Sequence, residues 1–198
     1  GQEQAQRLAA TAAATALHDR ERLFDPVTGL PGPLHAKTAF YGYPLSGGIQ
    51  LDGYLNDWNG LADRAARHGR GSVLVDHADG DPSVAFDLVL GVRGGFLYGM
   101  VRVDDQQVVY RHPGYLRLDN SDHLRLSLVD ADGTLRRYLL TTEGPGPMSA
   151  YAVEPDWRHA SDGRPVYAVR AQLQERADGY NVEFRLPLSL LGEQRRLR

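Results

Sequence analysis

The chain has 198 residues, of which 42% are hydrophobic and 24% charged, and its formal net charge at pH 7 is -3. A chain of this length can bury one core of ordinary size, so two full domains are not expected. The charge balance lacks the basic excess that nucleic-acid binding needs, and the absence of cysteine excludes disulfides, thiolate metal sites and cysteine nucleophiles.

Residues 1–24 are rich in Ala, Gln, Arg and Glu and contain no proline, which predicts an N-terminal α-helix. Its apolar stripe, at Leu8, Ala12 and Ala16, is too thin to anchor the helix deeply in a core. We therefore expect the helix to lie on a surface, to pair with a second copy in a homodimer, or to continue an upstream helix.

Residues 25–48 contain four prolines and five glycines, a composition that prevents regular structure over any useful length. The segment is therefore predicted to be a connector. In a free tether its aromatic side chains would expose apolar surface to water. We therefore expect Phe40, Tyr41 and Tyr43 to pack against the body of the protein and to strap the connector to it.

From residue 49 onward the hydrophobic pattern has a period of two, which predicts strands. Three strand pairs are predicted, with turns at Gly94-Gly95, at Ala131-Asp132-Gly133 and at Ala177-Asp178-Gly179. Short strands with frequent turn signals and no intervening helices are typical of an antiparallel β-sandwich, here assigned to residues 49–198.

The last predicted strand alternates apolar and polar residues. Val182, Phe184 and Leu186 fall on one face, and Asn181, Glu183 and Arg185 fall on the other. With the preceding strand and the Ala177-Asp178-Gly179 turn, this alternation predicts a β-hairpin.

Four stretches, taken in order, resemble motifs of the carbohydrate-binding modules of family nine. They are IQLDGYLNDW (residues 49–58), GFLYGMVRVDD (95–105), LDNSDHLRLSL (118–128) and GYNVEFRLPLSLLG (179–192). The resemblance implies a mainly β fold, an antiparallel sandwich of jelly-roll type. Family members continue with another strand after the closing motif, so the resemblance also implies that residues 49–198 lack the last strand and leave an edge uncovered.

With the helix and connector in front of it, the arrangement is similar to the extracytoplasmic sensor region of bacterial histidine kinases, in particular the kinase of the proteobacterial dedicated sortase system. This resemblance implies a periplasmic, membrane-tethered, signal-sensing domain without catalytic activity of its own, whose kinase domains lie outside this chain. The alternative is a carbohydrate-binding module of a secreted or cell-envelope enzyme. Such modules usually hang on Pro/Ser/Gly linkers, so the predicted helix argues against it.

The sequence contains no run of 18 apolar residues and begins at Gly1. We therefore expect a soluble piece of a longer protein, with any targeting or membrane segments lying outside it.

The resemblance implies a saccharide or other envelope ligand held against aromatic side chains. Trp157 lies in a polar loop, where a large apolar ring has little structural reason to be, and is the first candidate contact. Arg158 and His159 beside it, with Tyr110 and Arg111 of another loop, are the expected polar contacts. Trp58, the other tryptophan, belongs to the first motif and is expected in the core.

The Asp52-Gly53 pair allows two interpretations. In the first, Asp52 accepts backbone hydrogen bonds, Gly53 supplies an unusual φ, and the apolar residues of the motif plug one end of the sandwich. In the second, Asp52, Asn56 and Asp57 bind a hard cation such as calcium together with carbonyl oxygens, as members of the resembled family can.

Catalytic patterns are weak in this sequence. His123 follows Ser121 and Asp122, but no Gly-x-Ser-x-Gly elbow supports a serine triad. The acidic pair Asp104-Asp105 is typical of a solvated turn in an all-β protein and does not indicate glycoside hydrolysis. We expect no enzymatic activity from this chain.

Overall fold

The computed structural model describes residues 42–68, 85–129, 132, 134–154 and 163–191. Within these residues the chain is mainly β, as predicted, and its helices are short 3-10 turns at Leu55–Trp58, Ala62–Arg64 and Leu188–Leu191. No helix in the described part is long and apolar enough to cross a membrane. The predicted N-terminal helix, residues 1–24, lies outside the described residues.

Ten strands are present in these ranges. In chain order they are β1 (Gly42–Pro44), β2 (Ala66–His68), β3 (Ala85–Arg93), β4 (Phe96–Asp104), β5 (Leu124–Val129), β6 (Leu135–Thr141), β7 (Gly146–Val153), β8 (Arg164–Pro165), β9 (Arg170–Arg176) and β10 (Gly179–Pro187). They form one hydrogen-bonded sheet in the order β1-β3-β4-β10-β9-β7-β6-β5, with β2 also on β3 and β8 also on β7.

The three predicted hairpins are confirmed as β3-β4, β5-β6 and β9-β10, all antiparallel. The turn between β3 and β4 shows the chemistry that the sequence indicated, because Gly94 and Gly95 have φ of 57° and 81°. Only glycine adopts such angles without strain, so the Gly-Gly pair fixes the position of this turn.

Strand β7 joins the two halves of the sheet. Its first residues, Gly146 to Met148, pair with β9, and its later residues, Ser149 to Val153, pair with β6. The sheet curls as a result, and the core contains side chains from β3 and β4, such as Leu90 and Val101, together with Leu140 of β6. The expected two separate antiparallel sheets are therefore one continuous curled sheet in the structure.

The sheet is mixed because β1 pairs in parallel with β3, the one parallel pairing among the described strands. Strand β1 lies inside the predicted connector, where no regular structure was expected. Gly91 of β3 permits the close approach, since a Cβ there would lie 2.6 Å from Cδ2 of Leu45. Tyr43 is half-buried, and the guanidinium of Arg64 lies 5.2 Å from its ring centroid, so this aromatic residue does strap the segment to the body.

Strand β10 buries polar residues as well as apolar ones. Glu183 has 0% and Asn181 9% of its surface exposed, although both alternate with the apolar residues of the strand. The reason is that β10 lies between β4 and β9 and is covered on both faces, by the main core on one side and by residues 49–62 on the other. Apolar and polar residues do alternate between the two faces of β10, but the polar face is covered by residues 49–62 and does not reach solvent.

A cluster of charges ties β2 to the central strands. Arg67 of β2 pairs with Asp87 of β3 at 3.0 Å and with Asp104 of β4, and Arg176 of β9 also pairs with Asp104. Burial acts to raise the pKa of Asp104, but the hydrogen bonds from Arg67 and Arg176 outweigh it and hold the pKa below its usual value. Asp104 therefore favours the folded state as a carboxylate.

Gly99 of β4 gives a test of the core. A Cβ at this position would lie 2.1 Å from the ring of Phe184 on β10, so Gly99→Ala should lower the free energy of unfolding by about 1–3 kcal/mol through overpacking. Urea denaturation measures the change. Gly48→Ala is the control, because nothing lies within 4 Å of a Cβ there. Adding Phe184→Leu to Gly99→Ala should recover part of the loss, and strictly additive costs would contradict the proposed contact.

Asp104 gives a pH test. A carboxyl group whose pKa is lower in the folded than in the unfolded chain stabilises the fold above its unfolded pKa, and this contribution is lost as pH falls through the folded pKa. The free energy of unfolding should thus fall less steeply below about pH 4 in Asp104→Asn than in the wild type. Asp63→Asn, an exposed substitution in the helix Ala62–Arg64, should keep the wild-type dependence. Equal acid slopes for all three proteins would contradict the assignment.

Candidate functional site

The first and last motifs of the chain meet at the carboxylate of Glu183. Its Oε2 accepts hydrogen bonds from the backbone N–H groups of Asp52 (2.9 Å) and Gly53 (2.7 Å). Its Oε1 accepts one from Nε1 of Trp58 at 2.7 Å. Glu183 and Trp58 both have 0% exposure, so this group of hydrogen bonds is closed to solvent.

Gly53 is required for the turn that presents these N–H groups. Its φ is +82°, and a Cβ on it would lie 2.4 Å from Cβ of Gln174 on β9. Nδ2 of Asn181 donates to the carbonyl oxygen of Gly53 at 3.2 Å, which adds a second polar contact from β10. The turn is therefore pressed directly onto the sheet, and Gly53 has the unusual φ that the first interpretation of Asp52-Gly53 expected.

The surroundings of Glu183 indicate a structural role, in which its carboxylate forms a joint between two segments of the chain. Burial raises the pKa of Glu183 above its usual value, while the N–H donors of Trp58, Gly53 and Asp52 act in the opposite direction. Its oxygens are occupied by N–H donors, and no part of its surface reaches solvent. The carboxylate thus connects two distant segments of the chain and is not presented to a ligand.

The predicted calcium ligands make hydrogen bonds within their own turn. Oδ1 of Asp52 accepts from the backbone N–H of Tyr54 (2.9 Å), Oδ2 of Asp57 accepts from that of Gln50 (2.8 Å), and the amide of Asn56 donates to Oδ1 of Asp57 (3.4 Å). Each side chain thus serves the local turn. Among the residues that the structure describes, no group of three or more His, Cys, Asp or Glu side chains is placed to hold a metal ion.

An open cleft of about 370 Å³ lies on the outer side of β6 and β7, beside the turn that joins them. It is lined by Arg111, Thr141, Thr142, Glu143, Gly144, Pro145, Pro147, Ser149 and Tyr151. Arg111 comes from the loop between β4 and β5, and the other residues come from β6, β7 and their connection. Its volume falls within the lower range of small-molecule sites, while its lining is more polar than is usual for such sites.

Arg111 is the predicted ligand residue that the structure places in this cleft. Its backbone N–H donates to the carbonyl oxygen of Thr142 at 2.9 Å, which fixes the loop against the β6-β7 turn. Its side chain is 17% exposed, and Nη1 lies 3.6 Å from Oε1 of Glu143, beyond hydrogen-bonding distance. Its Nε is buried and has no hydrogen-bond partner among the described residues.

Tyr110, the neighbouring candidate, is directed away from the cleft. Its hydroxyl donates to Oε1 of Glu175 on β9, and its ring packs against the main core. Burial and this hydrogen bond raise the pKa of Tyr110 far above its usual value. Adjacent residues of an extended loop point to opposite sides, so Tyr110 and Arg111 could not both reach one ligand. The other candidates, Trp157, Arg158 and His159, lie outside the described residues.

The loop that carries Arg111 is anchored by a buried aspartate. The side chain of Asp119 is 0% exposed and accepts hydrogen bonds from Nε of Arg117 (3.0 Å) and Nη2 of Arg125 (3.2 Å). Because Arg125 belongs to β5, these bonds hold the end of the loop on the outer face of the sheet. The cleft wall is thus supported at residues 111 and 119.

The structure does not form the serine triad that the spacing of Ser121, Asp122 and His123 left open. Nδ1 of His123 bonds to the carbonyl oxygen of Ser121 (2.7 Å), and Nε2 accepts from Nε of Arg125 (2.9 Å). The hydroxyl of Ser121 lies 3.1 Å from that of Thr141. Both ring nitrogens therefore serve other partners, and the histidine is not placed to take a proton from the serine.

Sequence reasoning missed Thr141, Ser149 and Tyr151 as cleft residues. The reason is that β7 was not predicted, since Gly and Pro at its start (GPGP) indicate a loop. The alternation in MSAYAV was the available signal: Ser149 and Tyr151 lie on one face, and buried Met148 and Ala150 lie on the other.

The comparisons with known proteins identify no relative. No protein-family model, no curated protein and no solved structure matches this chain.

Glu183→Gln tests the joint between the two motifs. Gln presents an amide NH₂ where one carboxylate oxygen stood, so at least one buried N–H donor loses its acceptor. We expect the free energy of unfolding to fall by roughly 2–4 kcal/mol, as measured by urea denaturation.

The matched control is Glu175→Gln on β9, an exposed position where Gln can still accept from Tyr110. It should change stability by no more than about 0.5 kcal/mol. Trp58→Phe, which keeps an aromatic ring but removes the Nε1 donor, should fall between the two. A Glu183→Gln protein as stable as the control would refute the structural role of this carboxylate.

Proposed function

We propose that this chain is the ligand-binding domain of an extracytoplasmic sensor of the two-component histidine kinase type, built on a sandwich like that of family-nine carbohydrate-binding modules. One observation carries the proposal. The first and last motifs of that resemblance are joined through Glu183, although Trp58 and Glu183 are 125 residues apart in the sequence.

A second contact between motifs points the same way. Strand β4, which contains most of the GFLYGMVRVDD motif, pairs with β10 of the closing motif along nine residues. Motifs recognised in sequence order thus assemble into one packed unit, as a shared fold requires. The curl that brings β5 to β7 over the same core is compatible with a sandwich whose two layers remain continuous through β7.

The cleft beside Arg111 is the proposed ligand site. Ser149, Tyr151 and Arg111 supply hydroxyl and guanidinium groups to its lining, with prolines as the apolar part. This mixture of hydroxyl and cationic groups with flat apolar rings suits a polyhydroxylated ligand such as a saccharide. A sensor needs only that such a ligand binds two arrangements of the intact protein with different affinity.

A blocking substitution tests the site. Ser149 is exposed on β7 and lines the cleft, so the large ring of Ser149→Trp should fill the cleft. Tryptophan is common in β-strands, so this substitution should not disturb β7. The ligands to be screened by thermal unfolding are mono- and oligosaccharides, both neutral and acidic. A ligand at 100 times its Kd adds about 2.7 kcal/mol, several degrees in Tm. Wild type should show such a rise, and Ser149→Trp should not.

Arg102→Trp is the control, because it places the same ring at an exposed strand position on β4, away from the cleft. It should keep the wild-type response. Recovery of the ligand unchanged after incubation distinguishes binding from catalysis. A panel without any shift, or a shift that Ser149→Trp retains, would contradict the proposed site. A hydrolase domain joined to this chain in the intact protein would favour the alternative, a carbohydrate-binding module.

A further inference from the structure

The guanidinium of Arg111 differs from the other arginines of the described residues that carry an unpaired buried Nε. Arg176 places its terminal nitrogens on Asp104 and Asp178, and Arg185 lies over the ring of Phe96 at 4.8 Å. Among the described residues, Arg111 forms one ion pair, in which its Nη1 lies 3.6 Å from Oε1 of Glu143. Its cation is therefore only weakly compensated.

Two hydroxyl groups among the cleft residues are also without a partner in the described part of the chain. The hydroxyls of Ser149 and Tyr151 line the cleft and make no hydrogen bond with a described residue. Together with the guanidinium they present donors from two directions, one from the β4-β5 loop and one from β7. Hydroxyls can donate as well as accept, and a guanidinium can only donate. The cleft thus offers an excess of donors.

Glu143 does not neutralise this excess. Its side chain is 56% exposed, and a surface pair at this distance contributes about 0–1 kcal/mol. An oxyanion held by two N–H groups of the guanidinium fork is bound more strongly, because charge-assisted bidentate contacts are shorter and directional. A ligand anion could therefore replace Glu143 as the partner of Arg111.

We infer that the cleft binds the oxyanion of an acidic saccharide, with Arg111 as its cationic partner, Ser149 and Tyr151 as hydroxyl donors, and Glu143 as a competing carboxylate at the rim. The inference rests on the proposed function and adds that the saccharide ligand carries a negative charge. Carboxylate and phosphate share the required chemistry, so the source of the oxyanion is decided by the experiment.

Isothermal titration of this chain with matched sugars tests the inference. The probes are glucuronate and galacturonate, their methyl esters, glucose, galactose, and glucose 6-phosphate. Each ester keeps the shape of the acid without its charge. The acids should bind at least about tenfold more tightly than the esters and the neutral sugars, as expected for one charge-assisted contact. Their affinity should fall as salt is raised. Glucose 6-phosphate binding more tightly than the uronates would assign the oxyanion as phosphate.

Two variants change the charge balance in opposite directions. Arg111→Gln should remove the advantage of the acids over their methyl esters, a loss of about ten- to hundredfold in acid affinity, so that acid and ester then bind alike. Glu143→Gln removes the competitor and should strengthen binding of the acids by about two- to fivefold. Arg111→Lys keeps the charge without the fork and should be intermediate. Thermal unfolding without ligand verifies that each variant folds.

The outcomes separate the two proposals. Equal affinity of acid and ester, or acid binding unchanged in Arg111→Gln, would overturn the inference and leave the saccharide site standing. Weaker acid binding in Glu143→Gln would also overturn it. If no sugar of the panel binds and none shifts Tm, the proposed function and the inference fail together.

Discussion

The buried carboxylate of Glu183 is the interaction on which the arrangement of this domain depends. It lies at the centre of the sheet, on the middle strand β10, and accepts N–H groups from Asp52, Gly53 and Trp58. Taking a carboxylate out of water is costly unless its oxygens are satisfied, so the segment that supplies the donors is held in one position. That segment then covers the second face of β10 and completes a small core with Val89.

The curl of the sheet has a different cause, the change of partner along β7. A strand that pairs with β9 at its start and with β6 at its end must bend between them, and it carries β5 and β6 over the main core. The same bend turns the outer faces of β6 and β7 toward the β4-β5 loop. The loop is then fastened by a backbone bond at Arg111 and by the buried side chain of Asp119.

The cleft is therefore a consequence of the fold and not of a local motif. Arg111 reaches it because its backbone is tied to Thr142, and its charge stays weakly paired because Glu143 is turned toward solvent. A preformed cationic group in a cleft lined by hydroxyls costs little reorganisation on binding, which is the condition for recognising a small charged ligand. The carboxylate of Glu183 on β10 and the guanidinium of Arg111 in the β4-β5 loop thus occupy separate parts of the fold.

The mainly β class and the three hairpins follow from the sequence, because periodicity and turn chemistry act between near neighbours. The first motif also indicated that Trp58 lies in the core, and Arg111 was a candidate ligand contact. The burial of Glu183, the strand β7 and the direction of Tyr110 depend on long-range packing, which local sequence does not report. Period two reports which side chains share a face, but what covers that face depends on segments more than a hundred residues away.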